Sequence, residues 1–410
     1  MILPNGTHLT YCTNIHPGEN WADVLASLKQ YLPEVKKQLS PEAPFGVGLR
    51  LSNLASQELL IGNNLAEFKS WLHAEGLYVF TMNGFPYGGF HHQEVKDAVH
   101  KPDWTTQNRL AYTIRLAYIL AELLPEGMEG GISTSPLSYK PWLGFNKVRF
   151  NEVFKTAAKH LTLLTEELIY LKETTGKNIH IDIEPEPDGL LENTQEVISF
   201  YQKWLLYIGC KRLTSTRGLS PDEAVHALLN HIRVCYDVCH FALAYEAPAD
   251  TFAKLKAAGI QIGKIQLSAA LKTELPTGEA ARSDLAQKLQ PFAESTYLHQ
   301  VVERDVFGKL NYYSDLPYAL QHIQKPTATE WRTHFHVPLF TQNYIGLNST
   351  QDDVETVLTY IAEHPQLTQH LEVETYTWEV LPEGLKTDLT TSIVRELEWV
   401  LQQTQIKENA

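Results

Sequence analysis

The chain has 410 residues, a formal net charge of −14 and 43% apolar residues, enough to build a large core and too many for wholesale disorder. The acidic balance excludes a nucleic-acid backbone as the expected partner. Four cysteines in a chain this long do not make a disulfide framework, and no run approaches the roughly 18 apolar residues of a membrane span. The start, Met1-Ile-Leu-Pro-Asn-Gly6, lacks the basic and apolar regions of a signal peptide, so a cytoplasmic protein is expected.

His8 to Asn14 reads as a first strand and runs into a turn at His16-Pro-Gly-Glu-Asn20. A helix follows from Trp21, with Val24, Leu25, Leu28 and Leu32 at helical spacing, and Pro33 is expected to kink or divide it. Phe45 to Leu51 is a second strand with Arg50 near its end, and Leu77 to Asn83 a third. The loop Gly84 to His92, rich in glycine, aromatics and imidazoles, has the character of a substrate lid. A helix over 105–124 precedes a short fourth strand, Gly130 to Pro136, and a long helix over 151–173 leads to the fifth.

That fifth strand, Asn178-Ile-His-Ile-Asp-Ile-Glu-Pro-Glu-Pro187, alternates Ile179, Ile181 and Ile183 with His180, Asp182 and Glu184. The period of two gives a β-branched face suited to packing under helices and a polar face ending in a carboxylate. Helices over 194–209 and 221–231 precede a sixth strand, Arg233 to His240, and a helix over 250–258 precedes a seventh, Ile262 to Ser268. Two strand candidates remain, Glu330 to Pro338 and His370 to Tyr376, separated by a helix over 352–364; a helix over 387–403 closes the chain.

Strand and helix alternate throughout, which predicts right-handed parallel units and, with eight of them, an α/β (β/α)8 TIM barrel formed by residues 1–410 as a single domain. The surplus strand is accommodated by an insertion at 270–330, after which 330–338 returns to the barrel mouth. An open doubly wound sheet is the alternative, but no glycine-rich phosphate turn follows an early strand.

Inward residues at the carboxyl ends of barrel strands build active sites. Glu184 holds that place on the fifth strand, Asp237 and His240 on the sixth, His334 and His336 on the returning segment, and Glu372 and Glu374 on the last. So many ionisable groups at one mouth would repel or desolvate one another unless a cation sat between them. A divalent metal is the economical answer, and carboxylates with one imidazole suit manganese, zinc, magnesium or cobalt. His16, Arg50, Asn83 and His91 lie just past the first three strands, where a substrate would be oriented. Cys235 and Cys239, four apart on the expected sixth strand, would be roughly 13 Å apart and read as small core residues.

Ile183-Glu-Pro-Glu186, Tyr236-Asp-Val-Cys-His240 and Glu372-Val-Glu-Thr-Tyr376 resemble the metal-binding strands of xylose-isomerase-like barrels, which include sugar phosphate isomerases and epimerases, dehydratases and abasic-site endonucleases. Leu9 to Glu19, His334-Phe-His-Val-Pro338 and Leu371 to Trp378 resemble, more narrowly, the EboE branch of metabolite traffic proteins. The resemblance implies that Glu184, Asp237 and Glu374 are metal ligands and that His240 contacts substrate. The family's usual ligand histidine on the seventh strand is replaced by Gln266, so either Gln266 or His336, less readily His334, completes the set. It further implies proton transfer beside a carbonyl, with Glu184 and Glu374 as the acid and base. The alternatives are a metabolite-binding protein without turnover and, disfavoured by the acidic charge, an abasic-site phosphodiesterase. The expected partner is a small metabolite, with no nucleic acid and no membrane span; a homo-oligomer is compatible with the amphipathic outer helices.

Overall fold

The computed structural model describes residues 1–89, 95–344, 346–379, 381 and 388–408. Among the described residues, fourteen strands fall into two sheets. The first comprises β1 (His8–Tyr11), β2 (Phe45–Arg50), β3 (Leu77–Asn83), β4 (Gly130–Thr134), β5 (Ile179–Ile183), β6 (Ile232–Asp237) and β7 (Ile262–Leu267), and is completed by a much later strand. Between them come β8 (Ala269–Glu274), β9 (Val301–Asp305), β10 (Leu310–Tyr313), β11 (Ala328–Val337), β12 (Asn343–Tyr344) and β13 (Leu347–Ser349), and then β14 (His370–Val373).

The eight strands β1-β14-β7-β6-β5-β4-β3-β2 form a parallel, nearly closed barrel. Its ends meet through a parallel bridge from Cys12 to Gly48 and a 2.7 Å hydrogen bond from Thr10 Oγ1 to the Gly46 carbonyl. Gly48 is required at this seam: a Cβ there would lie 1.9 Å from Glu372 Oε1 and 2.7 Å from the Tyr11 carbonyl. Helices cover the outside, among them Gln107–Leu123, Lys147–Thr175, Pro221–His231 and Pro248–Ala257. On β5 the isoleucines at 179, 181 and 183 are 0–1% exposed, so the apolar half of the period-two pattern packs beneath helices while His180, Asp182 and Glu184 turn inward.

The other six strands form an antiparallel sheet, β10-β9-β11-β8-β13-β12, inserted between β7 and β14. Its strands run from Ala269 to Ser349, so the segment Glu330–Pro338 belongs mainly to this sheet and is not a barrel strand. Two local expectations need correction. The helix Trp21–Leu39 continues unbroken through Pro33, held by buried Leu28, Leu32 and Val35 on either side of the lost hydrogen bond. The sixth strand ends at Asp237, and Val238–Leu243 is a helix that Asp237 caps by accepting from the His240 amide. Strand spacing therefore does not apply to Cys235 and Cys239, and His240 sits in a helical first turn and does not close a strand.

Candidate metal centre

The interior of the barrel is polar in layers. In the lower layer Lys264 Nζ donates to Glu372 Oε2 at 2.7 Å and to the Met82 carbonyl at 3.2 Å, with both side chains fully buried. Burial is the largest influence and would lower the Lys264 ammonium, but its neighbours, Glu372 first and then Cys235 and Cys12, together outweigh it and hold the group above its ordinary range. His180 Nδ1 lies 2.6 Å from Asp182 Oδ1. Burial pushes Asp182 up and His180 down, so it disfavours charge on both partners of this contact.

Two residues further along the same strands is the mouth. Glu184 follows β5, Asp237 ends β6, Gln266 lies on β7 and Glu374 follows β14. Glu184, Asp237 and Glu374 are buried and offer one oxygen each within 4.8 Å of one another, a set able to hold a metal ion. Each carboxylate is fixed differently. Asp237 Oδ1 accepts from the His240 amide at 3.1 Å and from Ser268 Oγ at 2.7 Å, leaving Oδ2 without a hydrogen-bond partner. Glu374 Oε1 accepts from Asn14 Nδ2 at 2.7 Å and Asn83 Nδ2 at 3.0 Å. Glu184 Oε2 is buried with no hydrogen-bond partner. Burial first, then mutual repulsion, holds Glu184 and Glu374 far above the usual carboxylate range; a cation among them would reverse that.

His336 approaches from β11, beyond a register shift between Thr333 and His336 of the kind that re-aims a side chain. Its Nδ1 lies 2.6 Å from the Glu374 carbonyl. A carbonyl only accepts, so Nδ1 carries the proton and Nε2 presents a lone pair; that atom is buried and has no hydrogen-bond partner. His336 also forms a three-residue group of possible ligands with Asp237 and His240. Gln266 is turned otherwise: its Oε1 accepts from the Cys235 thiol at 2.9 Å, and its amide nitrogen is unpaired.

A cavity of about 70 Å³ opens over this centre. Among the described residues it is lined by Glu184, Glu374, Asn83, His240 and His334, all expected from sequence, and by Asn14, His100, Glu186, Gln300 and Tyr376, which were not assigned there. His16 and Arg50 are placed elsewhere. His16 Nε2 lies 2.9 Å from the Tyr11 hydroxyl and its ring stacks on Tyr31. The Arg50 guanidinium donates to the Gly18 and Gly88 carbonyls at 3.0 and 2.6 Å and faces Glu19, so it clamps loops and is not turned to the cavity. His91 lies outside the described residues. The buried pair His100 Nε2–Glu186 Oε1, 2.9 Å apart, escaped sequence reasoning because His100 comes from a 3-10 turn, Lys96–His100, with no strand periodicity to mark it.

No family model and no curated protein matches the sequence. Among solved structures, a xylose isomerase-like TIM barrel protein from Mycobacterium smegmatis, in complex with magnesium, matches at 11% identity over 100% of both chains, with a TM-score of 0.51. The two chains share the TIM-barrel fold. D-psicose 3-epimerase from Clostridium cellulolyticum H10, solved with D-tagatose, matches more distantly, at 11% identity over 98% of this chain and 99% of that one, with a TM-score of 0.47. The barrel carries its acidic cluster at the carboxyl ends of its strands, the face where TIM barrels place their sites. No helix among the described residues is long and apolar enough to cross a membrane.

Proposed function

We propose that this chain is a metal-dependent isomerase or epimerase of the EboE type, acting on a small polyhydroxylated or keto metabolite. The observation that carries this reading is a cluster of three buried carboxylates, two of which, Glu184 and Glu374, line one small cavity, with no lysine or arginine bonded to any of the three among the described residues. Unpaired, such a cluster costs several kcal/mol per charge. The residues fit a divalent cation: Glu184 Oε2, Asp237 Oδ2 and His336 Nε2 are buried acceptors without hydrogen-bond partners, and an oxygen-rich set with one imidazole suits manganese, magnesium, zinc or cobalt. The Mycobacterium smegmatis barrel of the same fold is a magnesium complex. Bound here, the ion would polarise a carbonyl or hydroxyl oxygen as a Lewis acid.

The chain's own residues supply the rest. Glu184 and Glu374 stand three strands apart around the barrel, flanking Asp237 and Gln266, so their carboxylates can approach a substrate carbon from two sides and take and return its proton. Asn14 and Asn83 fix Glu374 through one oxygen, and Ser268 fixes Asp237. Asn14, Asn83, Gln300 and Tyr376 line the cavity where a hydroxylated ligand would be oriented.

Elemental analysis of untagged wild type beside Glu374→Gln and His336→Ala tests the reading. Near-stoichiometric manganese, zinc, magnesium or cobalt is expected in the wild type, lost in Glu374→Gln and weakened in His336→Ala. Solvent deuterium should then exchange into a bound keto or hydroxy compound. Metal without exchange across such a panel would leave a metabolite-handling protein; no metal under any loading condition would overturn the proposal.

A further inference from the structure

We infer that the outer face of the barrel between the helices Lys147–Thr175 and Leu206–Arg217 is a docking groove for an acidic peptide segment of a partner protein, one that carries an apolar anchor. It goes beyond the reading above and does not depend on it. A groove of about 520 Å³ opens between the two helices. Half-buried Trp204 and Ile208 line its floor, and Trp204 is fixed there by stacking on Phe154, 6.0 Å between ring centroids. Val148 and Tyr207 also line it while 65% and 71% exposed, and Phe145, three residues before Val148, is fully exposed. Single exposed apolar residues are ordinary; apolar and aromatic surface gathered around one concavity marks an interaction site.

The charge of this face decides the partner. The chain as a whole is acidic, with a net charge of −14, yet both ridges of the groove are basic. On one helix Glu152, Lys155 and Lys159 follow Val148 at the three- and four-residue spacing that keeps them on one face. On the other side Lys203, Tyr207 and Lys211 follow one another at intervals of four. The four lysines are exposed, and none makes an ion pair among the described residues. Lys69, Lys140, Lys177 and Lys272, by contrast, each have a carboxylate oxygen within 3.8 Å. Glu152 is the only acidic residue lining the groove among the described residues, so positive charge is left over for an anionic occupant.

The shape selects a peptide among anionic partners. Basic ridges on both sides of a recessed aromatic floor bracket a chain lying along the groove, with its apolar residue on Trp204 and its carboxylates toward the lysines. A planar bilayer would meet the ridges and leave the floor unfilled. A second copy presenting the same face would set lysines against lysines. The helix wall that carries Lys203 and Trp204 contains a π-turn, Tyr201–Leu205, a local irregularity that is frequent at functional sites. Binding then has two parts: apolar burial that salt does not weaken, and lysine–carboxylate attraction that it screens.

The test is fluorescence anisotropy on the full chain with a short fluorescein-labelled peptide, glutamates flanking a central Leu-Trp pair. The expected result is saturable binding that weakens with salt. It should fall more than tenfold in Lys155→Glu/Lys203→Glu and severalfold in Tyr207→Ala, with the melting temperature of each variant unchanged. A peptide with lysines in place of the glutamates should not bind, and an all-glutamate peptide without the apolar pair should bind much more weakly. No saturable binding, or equal binding by the charge-reversed variant, would overturn the groove. Equal binding of the all-glutamate peptide would reduce it to a diffuse basic surface and overturn it too. Sedimentation with vesicles of phosphatidylglycerol and phosphatidylcholine, or self-association by light scattering, in either case without peptide binding and lost in Phe145→Asp, would give the face to a membrane or to a second copy and overturn the peptide assignment.

Discussion

Two layers of the barrel interior, separated by a step of two residues on the same strands, solve the same electrostatic problem differently. In the lower layer the chain supplies its own cation, Lys264, 2.7 Å from Glu372. In the upper layer the residue two places on is Gln266, a neutral amide engaged by Cys235, and the carboxylates of Glu184, Asp237 and Glu374 cluster beside a cavity that Glu184 and Glu374 line. The lower layer is a closed structural pair; the upper is acidic and open to a small ligand. Buried carboxylates therefore do not by themselves announce a site. What distinguishes the mouth is a charge left for something outside the chain to balance.

The largest effect should come from breaking the lower layer. Lys264→Met leaves Glu372 buried without its partner and is expected to cost about 3–5 kcal/mol in urea unfolding, with Lys264→Met/Glu372→Leu recovering most of it. An unchanged midpoint in the single variant would mean that Glu372 is neutral and that the two layers do not differ as argued. In the upper layer, Ser268→Ala removes the hydroxyl that orients Asp237 Oδ1 and should weaken manganese binding by about 10–100-fold in titration calorimetry, with little change in stability. Equal affinity would mean that Asp237 is not a ligand.

The smallest effect sharpens the comparison with a carboxylate that has neither a lysine nor a place at the mouth. Glu396 is buried, and Oε1 accepts from the Leu339 amide at 3.0 Å and Thr375 Oγ1 at 2.7 Å. Burial pushes it from 4.5 up to about 8. The folded state thus holds this proton where the unfolded chain has lost it, so its contribution is complete below about 4.5 and declines as pH rises toward about 8. Glu396→Gln should flatten that decline in thermal melts across the window. An identical slope in both proteins would place the titration elsewhere.

Much of this was legible in the residues. The alternation of Ile179, Ile181 and Ile183 with His180, Asp182 and Glu184 announced a strand with one face under helices and one in a polar interior, because a period of two admits no other assignment. The alternation of strands and helices along the chain announced the parallel barrel, and Glu184, Asp237 and Glu374 announced the acidic mouth by their places at strand ends. Less legible were contacts whose partners lie far apart in sequence. Asn14 meets Glu374, His100 meets Glu186, and Arg50 is spent on Gly18 and Gly88. None of these has a local pattern that could give it away.

The sequence by itself determined which face of each barrel strand is buried apolar surface and which carries charge, since that follows from local periodicity and the cost of burying charge under helices. Only the tertiary structure decided that Lys264 neutralises the lower layer and that no lysine or arginine bonds to the upper one among the described residues. It also decided that β11 belongs to a separate antiparallel sheet and that His334 and His336 reach the mouth from it. Those outcomes depend on strand register and on closure of the barrel, which set distances between residues as much as 360 positions apart, and no local rule of spacing contains them.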